Sequence, residues 1–153
     1  MEIMLIEDEQ EIVAIFRREF KKMPEASLTV VMNSQEYPAH AGRRFDAYIC
    51  DNSLDEPSGP SSRAFRTILP DIFARFPDAI LMHNSSVGAD VEAEAEEKQG
   101  NFRFARGADG KRVFCEKNPK TAVCFLRTMV ADRDKSMKPP AQPPIPAPER
   151  RKI

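Results

Sequence analysis

Glu7, Asp8 and Glu9 stand in a row directly behind the apolar run Glu2–Ile6, and Asp51 stands directly behind a second run, Phe45–Cys50. A third run, Val113–Cys115, is followed by Glu116 and Lys117. Carboxylates brought together repel one another and partly protonate unless a cation joins them. A hard divalent ion such as Mg²⁺ relieves that repulsion, because it binds a few carboxylates and keeps water and phosphate oxygens as its other ligands. A lysine beside it adds a positive charge that can meet a phosphoryl oxygen. Phosphoryl transfer needs this combination of an aligned nucleophile and positive charge around the equatorial oxygens.

These residues lie far apart in the chain, so an architecture must gather them. Glu2–Ile6 (Glu-Ile-Met-Leu-Ile) reads as a strand buried on both faces. Ile12, Ile15, Phe16 and Phe20 then recur at helical spacing, with acid at the start, Arg17, Arg18, Lys21 and Lys22 at the end, and Pro24 as the stop. Ser27–Met32 is rich in β-branched residues and predicts a second strand. Ser34 to Arg44 holds a weak helical segment disturbed by Pro38 and Gly42, and Phe45–Cys50 is a third strand ending on Asp51. The stretch Asn52 to Ser62 is polar and turn-rich, and Ala64, Ile68, Ile72 and Phe76 mark a helix that Pro70 kinks or shortens.

Ala79–Met82 is a fourth apolar run, ending in His83, Asn84, Ser85 and Ser86. Gly88 to Gln99 is an Ala- and Glu-rich exposed helix. Phe102 and Phe104, Gly107 to Gly110 and Val113 to Cys115 predict an extra hairpin leading into a fifth strand. Thr121 to Val130 is a last amphipathic helix with Val123, Phe125, Leu126 and Val130 as core candidates. Strands alternating with helices predict an α/β fold, a doubly wound five-stranded parallel sheet with helices on both faces. In such a sheet ligands gather beyond the carboxyl ends of the strands. Glu7, Asp8, Asp51 and Lys117 all arrive there.

The chain has 153 residues, of which 41% are apolar, enough for one domain with a real core. We expect that domain to cover residues 1–133, with a proline-rich, disordered tail over 134–153. A formal net charge of −1 argues against nucleic-acid binding by the domain as a whole. No run is long enough to span a bilayer, and the amino terminus lacks the charge order of a signal peptide, so the expected location is cytoplasmic. Cys50, Cys115 and Cys124 offer neither a disulfide framework nor a zinc motif and read as buried, reduced thiols. His40 and His83 are too far apart in sequence to suggest a metal pair.

Taken together, Leu-Ile-Glu-Asp-Glu, Phe-Asp-Ala-Tyr-Ile-Cys-Asp and Val-Phe-Cys-Glu-Lys, in that order over roughly the first 130 residues, resemble the receiver domain of two-component response regulators. The resemblance implies that Asp51 takes the phosphoryl group as a carboxylate nucleophile. It implies that Glu7, Asp8 and Asp51 hold Mg²⁺ with the backbone carbonyl of Ser53. Lys117 would contact the phosphoryl group and Phe114 would be the aromatic that changes orientation on activation. The implied partners are a sensor histidine kinase or phosphotransfer protein, a downstream protein target and a second copy of the chain in a homodimer. No membrane or direct nucleic-acid partner is implied, and no catalysis beyond self-phosphorylation from a phosphodonor and its reversal.

The departures from the family pattern bear on its output. Where the family carries Thr or Ser at the end of the fourth strand, Asn84 stands, with Ser85 next; Ser85 would supply the hydroxyl, or the Asn84 amide would donate in its place. Asn118 separates Lys117 from Pro119, and the segment between the fourth and fifth strands is longer than is usual in the family. The expected function is a stand-alone receiver phosphorylated on Asp51, signalling by protein contact; the alternative is a binding module of receiver fold that no longer depends on phosphorylation. A phosphohydrolase of the haloacid dehalogenase type is disfavoured, because Asp51-Asn52-Ser53 lacks the second acid two residues on.

Plainer roles compete at every position. Asp51 could cap a turn, Glu7 and Asp8 could complement a helix dipole, and Lys117 could be a solvated charge. Phe114 could be a packed aromatic, and Glu92 to Glu97 a solvated face. The Pro-x-x-Pro spacing of the tail could dock on an aromatic groove, and Arg150, Arg151 and Lys152 could meet an acidic partner.

Overall fold

The computed structural model describes residues 1–85, 91–113 and 115–137. Its elements run β1 (Glu2–Ile6), α1 (Gln10–Phe20), β2 (Ser27–Val31), β3 (Ala47–Cys50), β4 (Ser53–Leu54), β5 (Ser62–Arg63), α2 (Ala64–Thr67), α3 (Leu69–Arg75), β6 (Ile80–His83), α4 (Val91–Lys98) and α5 (Pro119–Ser136). Among the described residues the main sheet has four parallel strands in the order β2-β1-β3-β6. Ile6 lies opposite both Val31 and Cys50, and Cys50 opposite His83, so the strands end level with one another. That register brings Glu7, Asp51 and Asn84 out side by side.

The alternation of side chains along each strand splits the core in two. Ile3, Leu5, Ala47, Ile49 and Met82 face α1 and α5, meeting Val13, Phe16, Phe20, Ala122 and Leu126. Met4, Ile6, Tyr48, Cys50 and Leu81 face the other way, toward Ile68 and Leu69, Ile72 of α3 and Ala93 of α4. Burying each large side chain contributes about 1.5–3 kcal/mol, so β1 and β3 anchor the sheet from both faces. In α1, Val13, Phe16 and Phe20 take the buried stripe, whereas Ile15 turns outward at 36% exposure.

The doubly wound α/β architecture is as expected, with some local differences. The weak helix after β2 shrinks to one 3₁₀ turn, Tyr37–Ala39, with Pro38 in it, and Tyr37 Oη donates to Asp71 Oδ2 at 2.7 Å to tie the turn to α3. The polar stretch after Asp51 holds the short antiparallel ribbon β4–β5, whose Leu54 is fully buried. Pro70 falls in the first turn of α3, where its missing N–H costs nothing, and Ile68 is the break between α2 and α3. α5 begins at Pro119, earlier than the expected Thr121, and runs past Val130 to Ser136; residues 138–153 of the expected tail lie outside the described residues.

Among the described residues the expected fifth strand is seen as ladder bonding to β6 from Val113 and Cys115, with residue 114 outside them. The His83 N–H donates to the Val113 carbonyl at 3.2 Å, and the Cys115 N–H donates to the His83 carbonyl at 2.8 Å. A tight antiparallel bridge, Arg106 opposite Arg112, forms the predicted hairpin ahead of it, closed by a turn whose Gly110 takes φ +75°. Of the cysteines, Cys50 and Cys115 are buried and Cys124 is exposed, because it lies on the outer side of α5. Burial pushes the Cys115 thiol up to about 12, and burial with the neighbouring Cys115 and Asp51 raises Cys50 as well, so both stay protonated at neutral pH. Among the described residues no helix is long and apolar enough to cross a membrane.

Candidate functional site

Glu7 and Asp51 reach the site because a strand ends one residue before each, and Asp8 follows Glu7. The Glu7 N–H donates to the Val31 carbonyl at 3.1 Å and the Asp51 N–H to the Ile6 carbonyl at 2.9 Å, so the sheet's ladder continues one step into the site. The carboxylates of Glu7, Asp8 and Asp51 offer oxygens that all lie within 4.8 Å of one another. Asp8 is steadied by the loop after β4, whose Asp55 N–H donates to its Oδ2 at 2.6 Å. Ser53, expected to lend a carbonyl, opens β4 and pairs with Arg63.

Lys117 arrives two residues after Cys115, whose N–H bonds to the end of β6. Its Nζ lies 3.4 Å from Glu7 Oε1 and 3.3 Å from Asp51 Oδ2, and it also pairs with Glu9. The backbone at Glu116 and Lys117 is left-handed, with φ of 51° and 53°, an uncommon conformation for side chains of this size. Two contacts hold that turn in place: the Lys117 N–H donates to Asn84 Oδ1 at 3.0 Å, and Asn118 caps α5 by accepting from the Lys120 N–H. No cis peptide bond occurs among the described residues, so Lys117 is joined to Asn118 in trans.

Glu7 is the most unusual group here, a carboxylic acid with no exposed surface. Burial first, and the charge of Asp51 second, push it up to about 7, against the pull of the Glu9 N–H and of Lys117. Asp51 is raised too, by burial, with Lys117 and the Asn52 N–H opposing. Burial alone would lower Lys117, but Glu9, Asp51 and Glu7 raise it above an ordinary lysine. Three acids facing one fixed ammonium leave negative charge uncompensated. A hard divalent cation fits that donor set and that surplus.

The two candidates after β6 have separate tasks. Asn84, fully buried, donates from Nδ2 to Glu7 Oε2 at 3.1 Å while its Oδ1 holds the Lys117 backbone. Ser85, 6% exposed, accepts from Asn52 Nδ2 at 3.4 Å. Phe114 lies outside the described residues. Three participants carried no role in the sequence reading. Glu9, third in the acidic run, reaches Lys117; Asn52 donates its N–H to Asp51 Oδ1 at 2.7 Å; His83 is fully buried beside Asn52, and its place at the end of an apolar run was the available signal.

No protein-family profile matches the sequence, and no curated protein matches it at a significant level. Solved structures do match the fold. A response regulator receiver domain from Methanospirillum hungatei superimposes with a TM-score of 0.67 at 11% identity, over 88% of this chain and 97% of that one. A Burkholderia pseudomallei response regulator, solved with a phosphorylated aspartate, calcium and citrate, gives 0.62 at 12% identity over 88% and 71%. The chemotaxis protein CheY4 of Vibrio cholerae gives 0.58 at 15% identity over 83% and 96%. The chain therefore has the fold of the CheY-like receiver domains of response regulators, with an acidic cluster at the carboxyl end of its sheet that is compatible with a divalent metal.

Proposed function

We propose that this protein is a response regulator receiver that accepts a phosphoryl group on Asp51 from the phosphohistidine of a sensor kinase or phosphotransfer protein. The observation that carries this reading is the placement of Lys117 Nζ 3.3 Å from Asp51 Oδ2, within a cluster of three converging carboxylates. Glu7, Asp8 and Asp51 would hold Mg²⁺, with the Ser53 carbonyl as a further oxygen donor. When bound, the ion supplies the charge that offsets the phosphoryl oxygens. The Asn52 N–H fixes one oxygen of Asp51, leaving Oδ2 on the Lys117 side. An Asp51 oxygen attacks phosphorus, the P–N bond to the donor imidazole breaks, and the imidazole leaves with the bonding pair and takes up a proton. Lys117 stays protonated throughout and moves from carboxylate to phosphoryl oxygen. Ser85 supplies a hydroxyl, and Phe114 the aromatic that reports the change.

Incubation with a small phosphodonor and Mg²⁺ should add one phosphoryl group to the wild type and none to Asp51→Asn, read by intact mass. An unmodified wild type would sink the proposal. One observation favours the alternative of a phosphorylation-independent binding module: both ends of the Asn84 amide are already engaged, by Glu7 and by the Lys117 backbone. In that case Asp51→Asn would bind the same protein target as the wild type, whatever the phosphodonor.

A further inference from the structure

His83 ends β6 with no exposed surface, and its ring is stacked on Phe104 at 4.7 Å between centroids and 10° between planes. Both ring nitrogens have polar neighbours. Nδ1 lies 3.3 Å from Arg112 Nη1, and Nε2 meets Asn52 Oδ1. A guanidinium has donors only, so Arg112 donates and Nδ1 must accept. The ring is then neutral with its proton on Nε2, which donates to Asn52 Oδ1. This in turn fixes the Asn52 amide, whose Nδ2 donates to Ser85 Oγ at 3.4 Å. The hydrogen bonds run in one direction, from Arg112 through His83 and Asn52 to Ser85.

Each end of this chain is tied to something different. Asn52 also donates its backbone N–H to Asp51 Oδ1 at 2.7 Å. Arg112, with 7% of its side chain exposed and its guanidinium 5.1 Å over the Phe104 ring, reaches α4 through Glu94 at 3.2 Å. Its Nε is 3.9 Å from Glu97. We propose that His83, oriented by Arg112, is a positioning residue that sets Asn52 and Ser85 beside Asp51 and couples the state of Asp51 to α4. Asn52 thus accepts from the ring and donates to the Ser85 hydroxyl, so the imidazole fixes which end of the amide faces the serine. An anionic group added to Asp51 draws on both Asn52 and Ser85, and the change passes through the ring to Arg112 and its grip on α4.

The inference rests on the receiver reading, and one experiment separates the two. Beryllofluoride with Mg²⁺ serves as the probe for a loaded aspartate, read by ¹⁹F NMR, while amide hydrogen exchange reads residues 91–98. In the wild type, His83 should show a bare Nδ1 and a protonated Nε2 by ¹⁵N NMR. The probe should shift the Nε2 resonance and change α4 exchange on the order of tenfold, the scale of a modest coupling between sites. His83→Phe keeps the ring stack but no nitrogens; it should retain the ¹⁹F signal and lose the α4 response. Arg112→Met, which keeps a chain over Phe104, should do the same and stands in if His83→Phe fails to fold. A protonated Nδ1, or an α4 response in either variant equal to that of the wild type, overturns the coupling and leaves the receiver reading intact. A wild type with no ¹⁹F signal overturns both.

Discussion

On one face of the sheet, α1 and α5 press Val13, Phe16, Phe20, Ala122 and Leu126 against Ile3, Leu5 and Ile49; on the other face α4 buries Ala93 and relies on charge. Arg66 bonds Glu96 at 3.1 Å, Arg63 lies 3.7 Å from Glu92, Arg106 pairs with Glu97, and Arg112 bonds Glu94. The glutamates of α4 are thus not merely a solvated face. Apolar packing is insensitive to salt and lost all at once, whereas half-exposed ion pairs are screened and open locally. A helix held in the second way can change position without unfolding the sheet. It lies beside the polar chain that starts at Asp51, so the helix held by charge is also the one next to the site.

The largest effect that tests this contrast is on the packed face. Leu126→Ala should cost about 2–5 kcal/mol of global stability in urea unfolding, because a fully buried side chain leaves a cavity. A loss no greater than for an exposed site would show that α5 is not the anchor described here.

The site between the two faces should respond to pH. Folded Glu7 sits near 7 against an ordinary 4.5, so between those values the folded protein holds a proton that the unfolded chain has released. In metal-free solution its contribution is therefore full below about pH 4.5 and lost as pH rises through 7, on the order of 3 kcal/mol. Unfolding of wild type and Glu7→Gln in EDTA, compared from pH 5 to pH 8, should show the slope in the first and a flatter profile in the second. Parallel profiles would mean that Glu7 ionises normally.

The smallest global effect belongs to the charged face. Arg66→Ala should alter stability by less than about 1 kcal/mol, since its partners are partly exposed. It should nonetheless raise amide exchange across 91–98, as should molar salt in the wild type. Unchanged exchange in both would return α4 to the packed class and erase the contrast.

Much of this arrangement could be read along the chain. The apolar runs ending on Glu7 and Asp51 gave β1 and β3, and the parallel alternation put Lys117 at the same edge, because strand burial and strand ends leave local marks. The fifth strand is less plain: among the described residues Val113 and Cys115 bond to β6 through His83, a pattern that a three-residue apolar run marks only weakly. Asn84 also bonds Glu7, a residue 77 positions away, a contact that local sequence does not mark. The role of His83 is not legible in spacing, because its partners Asn52 and Arg112 lie 31 and 29 residues off.

What the sequence by itself determined is which residues end the strands, and hence which acids and which lysine meet at one edge, since strand periodicity and strand termini are properties of short segments. The direction of each hydrogen bond around Asp51, the protonation of Glu7 and the charge-held docking of α4 came from tertiary structure. Each depends on burial and on partners brought from distant segments, and neither quantity is written in the spacing of residues along the chain.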